Sequence, residues 1–240
     1  MRRLLIVLAA VVWLSACSVK QQTLRTLDTT VPAAGIAIVS VAANAGRVSF
    51  EPSQDGRIHV HVELVPTRFQ FFGIITDSNS VNAAKAAKLS QSTDQGNLKL
   101  NVLYPGNGDS HGVGEHWTVD LPSSLHVAVT LAAGDIKVTG IAGGVQADIN
   151  TGKATLDVPG GSLKIEDDIG KVTATVHSLN YSEATLAAGV GSAALTVDGV
   201  PVGKQKKSGA GRAIEWKSGG KDSIDIQVHV GKLSVALLTH

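Results

Sequence analysis

The sequence GDIKV at residues 134–138 is followed 18 residues later by GKATL at 152–156, and 18 residues after that by GKVTA at 170–174. Each segment opens with glycine and then alternates polar with apolar residues, which places the apolar side chains on one face of a strand. A repeat of this length cannot bury its apolar face alone, so copies must stack on one another. The segment therefore predicts a β-solenoid, a coil of short stacked strands.

The same alignment extends towards the C-terminus, with steps of 18, 18, 21, 20 and 20 residues between the leading glycines. The residue two after each glycine is apolar in every copy. The residue four after is apolar in five of six, and Glu215 is the exception. This predicts that the copy at Gly211 either shifts register to bury Ile214 and Trp216 or forms a hairpin instead of a coil. The leading glycines are Gly134, Gly152, Gly170, Gly191, Gly211 and Gly231.

Composition agrees with an all-β fold. The 240 residues are 43% hydrophobic but only 4% aromatic, and 26 are glycine, which favours strands of Val, Ile, Leu and Ala joined by glycine turns. We predict a single-stranded β-solenoid over residues 123–240, preceded by an N-terminal antiparallel β region over residues 33–122. A short helix is expected near residues 82–89, and no long helix is expected after Pro122.

The N-terminus has the pattern of a bacterial lipoprotein signal. Arg2 and Arg3 precede an apolar run at residues 4–14, and LSAC at residues 14–17 resembles a lipobox. The pattern predicts a signal peptide at 1–16, acylation of Cys17 with lipid such as palmitate, and a flexible tether over 17–32. The alternative is an ordinary secretory signal with an incidental cysteine. Ser18 after the cysteine favours the outer membrane, with the domain facing the periplasm or the cell surface.

The charge balance argues against nucleic acid as a general partner. Without residues 1–16 the chain has 19 basic and 20 acidic residues, whereas nucleic-acid binding needs an excess of Lys and Arg. A single cysteine also excludes an intramolecular disulfide.

Two histidine patterns were weighed as metal sites. His59, His61 and Glu63 share one strand face, but no fourth ligand is identifiable, so a solvated outer face is the favoured interpretation. His111 and His116 are five residues apart with glycines between them, whereas a helical zinc-protease motif needs a spacing of four. We predict no metal and no cofactor.

One pair of acids is a candidate for catalysis. Asp148 and Glu166 occupy the same position on successive repeats and both point outward, so they could form a general acid/base pair on a polysaccharide. Nearby lysines favour a solvated acidic patch instead, and the nucleophile-elbow and phosphate-loop motifs are absent from the sequence. We therefore predict no catalytic residue and a protein that is not an enzyme.

Two stretches are candidate contacts. Phe69, Phe71 and Phe72 form an aromatic cluster that either plugs an open end of the core or stays exposed to meet a membrane or partner. The second stretch is basic and either forms a solvated loop or meets an anionic surface such as lipopolysaccharide or phospholipid headgroups. Its residues are Lys204, Lys206, Lys207, Arg212, Lys217 and Lys221.

Pro122 before a strand, GDIKVTG at residues 134–140, the glycine-led repeats and GAG at 209–211 together resemble a bacterial β-strand-repeat family of uncharacterised "putative adhesins". That family is similar to the "putative" head domain of autotransporter adhesins. The resemblance implies a β-solenoid on an exported or lipid-anchored protein and supplies no catalytic residues. The expected function is a non-enzymatic adhesin-like or scaffold module with a protein or glycan ligand. The alternatives are an envelope polysaccharide-active enzyme and an accessory or sensor subunit of a membrane complex.

Overall fold

The computed structural model describes residues 23–67, 69–70, 73–74, 78–105, 110 and 112–239. These residues form an all-β fold with one short helix, which confirms the predicted class. The elements in chain order are β1 (Arg25–Pro32), β2 (Ile38–Pro52), β3 (Arg57–Pro66), β4 (Phe69–Gln70), β5 (Gly73–Ile74), α1 (Ser78–Ala86), β6 (Lys88–Asp94), β7 (Asn97–Leu103), β8 (Val113–Leu121), β9 (His126–Thr139), β10 (Val145–Val158), β11 (Leu163–Val176), β12 (Tyr181–Val197), β13 (Val200–Pro201), β14 (Lys204–Ser208), β15 (Gly211–Lys217) and β16 (Asp222–Leu237).

The 18-residue repeat is a register of parallel strands. β9, β10 and β11 are hydrogen-bonded side by side, and each residue pairs with the residue 18 positions further along, as in Gly134, Gly152 and Gly170. A Cβ built on Gly152 would overlap the carbonyl oxygen of Gly134, and one on Gly170 would overlap that of Gly152. Glycine recurs because a neighbouring backbone occupies the space of a side chain.

Each long strand bends in the middle. In β10 the buried residues before the bend are Val145, Ala147 and Ile149, residues 150–153 are not buried, and burial resumes at Ala154 with the opposite phase. This change of phase lets both halves face one hydrophobic cluster. We call the half before the bend the first leg, the half after it the second leg, and the bend the glycine corner: residues 150–153 and their equivalents in β2, β9, β11, β12 and β16.

The strand order departs from the predicted coil after β11. The long strands lie in the order β2-β9-β10-β11-β16-β12, so the last strand of the chain is inserted between β11 and β12. Gly231 therefore stacks on Gly170, and Gly191 stacks on Gly231. The prediction of sequential repeats through residue 240 was wrong. The strands belong to one mixed 14-stranded sheet that is not closed into a barrel.

The copy at Gly211 is a hairpin, one of the two alternatives considered. β15 is only seven residues long and pairs antiparallel with β12 on one side and β14 on the other. Ile214 is buried, Trp216 packs partly buried against the core, and Glu215 is exposed. A strand with no second leg cannot complete a central layer, so it extends the edge of the first leg.

The N-terminal half is not a separate antiparallel region as predicted. β1–β3, β3–β8 and β6–β7 are antiparallel, but β2 pairs in parallel with β7, β8 and β9 and is part of the bent stack. The ordered part also begins earlier than expected, because Arg25–Pro32 is a strand within the predicted tether. Val31 and its neighbours alternate in burial along this strand, as a half-buried strand requires.

The helix lies at Ser78–Ala86, near its predicted position. Its C-terminal carbonyls accept hydrogen bonds from the Arg25 guanidinium, which contacts Ala84, Lys85 and Ala87. No helix among the described residues is long and apolar enough to cross a membrane. The predicted signal peptide and Cys17 lie outside the described residues.

Candidate functional site

A polar groove crosses the outer face of the first leg. It consists of two adjoining depressions with volumes of about 450 and 500 Å³, which share the lining residues Ala42, Asn101 and Thr130. Each is within the range of natural small-ligand sites. The groove is therefore large enough to hold a short extended ligand.

The strand register explains why a groove forms here. Ser40 and Ala42 on β2 pair with Ala128 and Thr130 on β9, and these short side chains make the floor. Longer side chains on the flanking strands make the walls. They are Lys99 and Asn101 on β7, and Gln146 and Asp148 on β10.

A further level of the groove lies towards the glycine corner. Asn44 and Ala132 continue the floor, and Leu103 and Asn150 continue the walls. Every second residue of a strand points the same way, so the four strands contribute side chains at regular steps of about 6–7 Å along the groove. This spacing suits a ligand that is itself extended and repetitive.

The lining favours hydrogen bonding over charge. Amides and hydroxyls both donate and accept hydrogen bonds, and they supply most of the polar groups. Lys99 is 3.6 Å from Asp94 in an ion pair, so its charge is partly compensated. A polyhydroxylated ligand meets such a surface with many weak hydrogen bonds.

Tyr104 and Glu115 close the groove at its corner end. The Tyr104 hydroxyl donates to Glu115 Oε1 at 3.1 Å, and the Trp117 indole N–H donates to Oε2 at 2.8 Å. Glu115 is only 1% exposed, and this burial raises its pKa to about 7. Both carboxylate oxygens are engaged by neighbours, so Glu115 supports the groove wall.

The two candidate catalytic acids are brought together. Asp148 and Glu166 are directly paired on adjacent parallel strands and both are exposed, as the repeat predicted. Adjacent strands are ~4.8 Å apart. Both acids line a hollow of about 110 Å³ together with Lys164 and Asp225. Asp148 thus belongs to the groove wall, while Glu166 lies on the far side of that wall.

The predicted histidine face is on the surface of β3. His61 Nδ1 is 2.7 Å from Asp28, and His59 Nε2 is 2.9 Å from Asp55. Among the described residues, no group of three or more His, Cys, Asp or Glu side chains is arranged to hold a metal ion. His116 lies on β8, whereas His111 is outside the described residues.

The basic stretch is an edge hairpin and not a loop. Lys204, Lys206 and Lys207 lie on β14, the last strand on the sheet path, and Lys206 Nζ is 2.7 Å from Glu215. Lysines on an edge strand discourage pairing with other chains. For the aromatic stretch, β4 and β5 pair antiparallel, while Phe71, Phe72 and the side chain of Phe69 lie outside the described part.

Of the groove, the sequence analysis identified only Asp148. The floor follows from the pairing of β2 with β9, which are separated by more than 70 residues in the chain. A signal was present, because the outward positions of both strands hold small residues while those of β10 hold Gln, Asp and Asn. Without the pairing, that difference could not be assigned to one surface.

Comparison with known proteins supports the fold. No family model matches the chain, and no curated protein does. A "putative cell adhesion protein" from Clostridium sporogenes has a TM-score of 0.54 at 13% identity, and the match covers 90% of this chain and 99% of that one. This likeness shows a shared fold.

Two further solved structures match over 90% of this chain and 96% of their own. They are a "putative adhesin" from Bacteroides fragilis, with a TM-score of 0.29 at 12% identity, and a "putative lipid binding protein" from Parabacteroides distasonis, with 0.23 at 10%. These scores are too low to support a structural argument.

Proposed function

We propose that the protein is a non-enzymatic, adhesin-like binding module of the bacterial cell envelope, and that its groove holds a stretch of glycan. In this proposal acyl chains on Cys17 anchor the chain, and Ser18 favours the outer membrane. The successive coils β9, β10 and β11 are a short β-solenoid segment that supports the groove.

The groove is the observation that carries the proposal. Its floor of short side chains leaves room for a sugar ring, and its walls offer amide, hydroxyl and single charged groups on both sides. Polar groups placed around a concave site supply orientation and specificity. The regular rise of the strands matches a ligand that repeats along its length.

The test is capture of ligands from the native envelope with the full-length protein. We expect the protein to retain glycan, and a Thr130→Trp variant to lose it because the indole fills the groove floor. A Thr185→Trp variant is the matched control, since Thr185 is exposed on the first leg of β12. Glycan capture that Thr130→Trp does not reduce would contradict the proposal. Stoichiometric capture of a protein instead would favour an accessory subunit.

A second candidate function is polysaccharide cleavage by Asp148 and Glu166. Their direct pairing on adjacent strands favours it, because retaining glycosidases hold two carboxyl groups ~5 Å apart. Shortening of envelope glycan by the purified protein, abolished by Asp148→Asn, would support this alternative. Binding without any change in glycan length would support the non-enzymatic module.

A further inference from the structure

Exposed apolar side chains concentrate at the glycine corner. Among the described residues, five large apolar side chains are exposed: Leu103, Ile169, Val190, Val200 and Val230. Ile169 pairs with Val230, which pairs with Val190, so three of them form a continuous ridge across β11, β16 and β12. Leu103 lies at the same end, two residues beyond the Asn101–Ala42 pair. Contiguous exposed apolar surface marks an interaction site.

A row of lysines runs beside this ridge. Lys153, Lys171 and Lys232 pair in register on β10, β11 and β16, two residues after the ridge positions on the same strands. All three are exposed, and none forms an ion pair with another described residue. Like charges directly opposite on neighbouring strands repel. An anionic partner would remove this repulsion.

The chain also enters the described fold at this end. Arg25 pairs with Leu64, Leu64 with Glu115, and Glu115 with Gly46 of the glycine corner. β1 then runs away from the corner. Residues 18–24 can span at most ~25 Å, so an anchor on Cys17 would hold the corner close to the membrane.

We propose that the glycine corner docks on the surface of a bilayer containing anionic phospholipid. The ridge of Ile169, Val190 and Val230 enters the headgroup layer, and the lysine row contacts the lipid phosphates. The ridge and row stand on the outside of a bend, so they are convex and fit a plane better than a single polymer chain. The groove opens on the side of the molecule and stays accessible, so this docking goes beyond the glycan proposal and does not depend on it.

The test places an environment-sensitive thiol dye on full-length protein attached to vesicles. Ile169→Cys reports the ridge, and Val200→Cys is the matched control, because Val200 is exposed in the turn strand β13 away from the corner. The unsubstituted chain measures any labelling of Cys17. We expect a blue shift at position 169, and quenching by brominated lipid, when phosphatidylcholine vesicles include phosphatidylglycerol. Position 200 should report water in both vesicles.

Charge variants separate docking from simple anchoring. Replacing Lys153, Lys171 and Lys232 by Gln should lower the ratio of docked to undocked protein roughly a hundred-fold, since each lysine near an anionic surface favours binding about five-fold. The control replaces Arg57, Lys217 and Lys221 by Gln, which removes the same charge at the opposite end. Equal dye shifts at positions 169 and 200, docking that ignores phosphatidylglycerol, or equal loss in both triple variants would overturn the proposal.

Discussion

Glu115 is a buried acid whose charge the fold disfavours. Burial raises its pKa from an ordinary value of 4.5 to about 7, while hydrogen bonds from Trp117 and Tyr104 partly offset this effect. Between these two pH values the folded state holds a proton that the unfolded state has released. Stability from this group is therefore fully present below pH 4.5 and is lost as the pH rises towards 7.

Glu115→Gln should remove this pH dependence. The amide still accepts from the Trp117 indole and can donate to the Tyr104 hydroxyl, so packing is retained. We expect little change at pH 5 and a gain of about 1–3 kcal/mol at pH 8. The measurement is the urea unfolding free energy of both chains across that range. Glu63→Gln, a half-buried neighbour on β3, is the control, and a pH-independent difference would contradict the assignment.

Asp167 is a second buried acid and lies in an apolar row. It pairs with Ile149 on β10 and Val228 on β16 and is fully buried. Its carboxylate oxygens make no hydrogen bond of normal geometry to other described residues. Burial raises its pKa to about 6, and Asp168 adds to this, while the amide of Ile169 offsets part of it.

Asp167→Val should stabilise the protein by about 1–3 kcal/mol at pH 7, because an ionised group leaves the core. The gain should shrink as the pH falls through 6 towards 4, where Asp167 is protonated. Thermal and urea unfolding at several pH values measure it. Asp168→Val is the control, since Asp168 is exposed and paired with His229 at 2.8 Å. Destabilisation at pH 7 would show that the carboxylate has a structural function.

At the scale of elements, the glycine column determines how closely the strands stack. Gly152→Ala would place a methyl group on the carbonyl oxygen of Gly134, and neither backbone can move without disturbing the register. We expect a loss of about 3 kcal/mol or more, measured by urea unfolding. Gly219→Ala has open space around it and should change stability by less than about 0.5 kcal/mol. Equal losses at both positions would show that chain entropy, and not the overlap, is responsible.

The repeat was predictable where chain neighbours are also spatial neighbours. For β9, β10 and β11, glycine spacing and alternation were sufficient, because successive coils stack directly. The hairpin β14–β15 was also signalled by Glu215, whose charge cannot lie in the core. The insertion of β16 was not predictable, because its alternation matches that of every long strand and therefore fits several positions equally well.

At the scale of the whole molecule, the last strand holds the two halves of the stack together. β16 contributes six buried apolar side chains and is hydrogen-bonded to β11 on one side and β12 on the other. Each buried side chain of this kind is worth about 1.5–3 kcal/mol, so together they are comparable to the stability of a whole domain. The six are Ile224, Ile226, Val228, Leu233, Val235 and Leu237.

A chain that ends at Lys221 should therefore lose its cooperative fold, with early proteolysis between residues 181 and 217. Limited proteolysis and the steepness of urea unfolding measure this. A chain that ends at Leu238 is the control, because it loses only the hydrogen bonds of Thr239 to Asp198. Unchanged cooperativity in the shorter chain would show that β12 can pair with β11 directly.

The amino-acid sequence by itself determined the strand class, the 18-residue register of the central repeats and the outward position of Asp148 and Glu166, because alternation and glycine spacing are local properties of one strand. Only the tertiary structure decided the rest. The groove needs β2 beside β9, the apolar ridge needs β16 between β11 and β12, and the burial of Glu115 and Asp167 depends on strands distant in the chain. Such pairings are decided by which apolar faces bury one another best, and similar strands carry no local label for that choice.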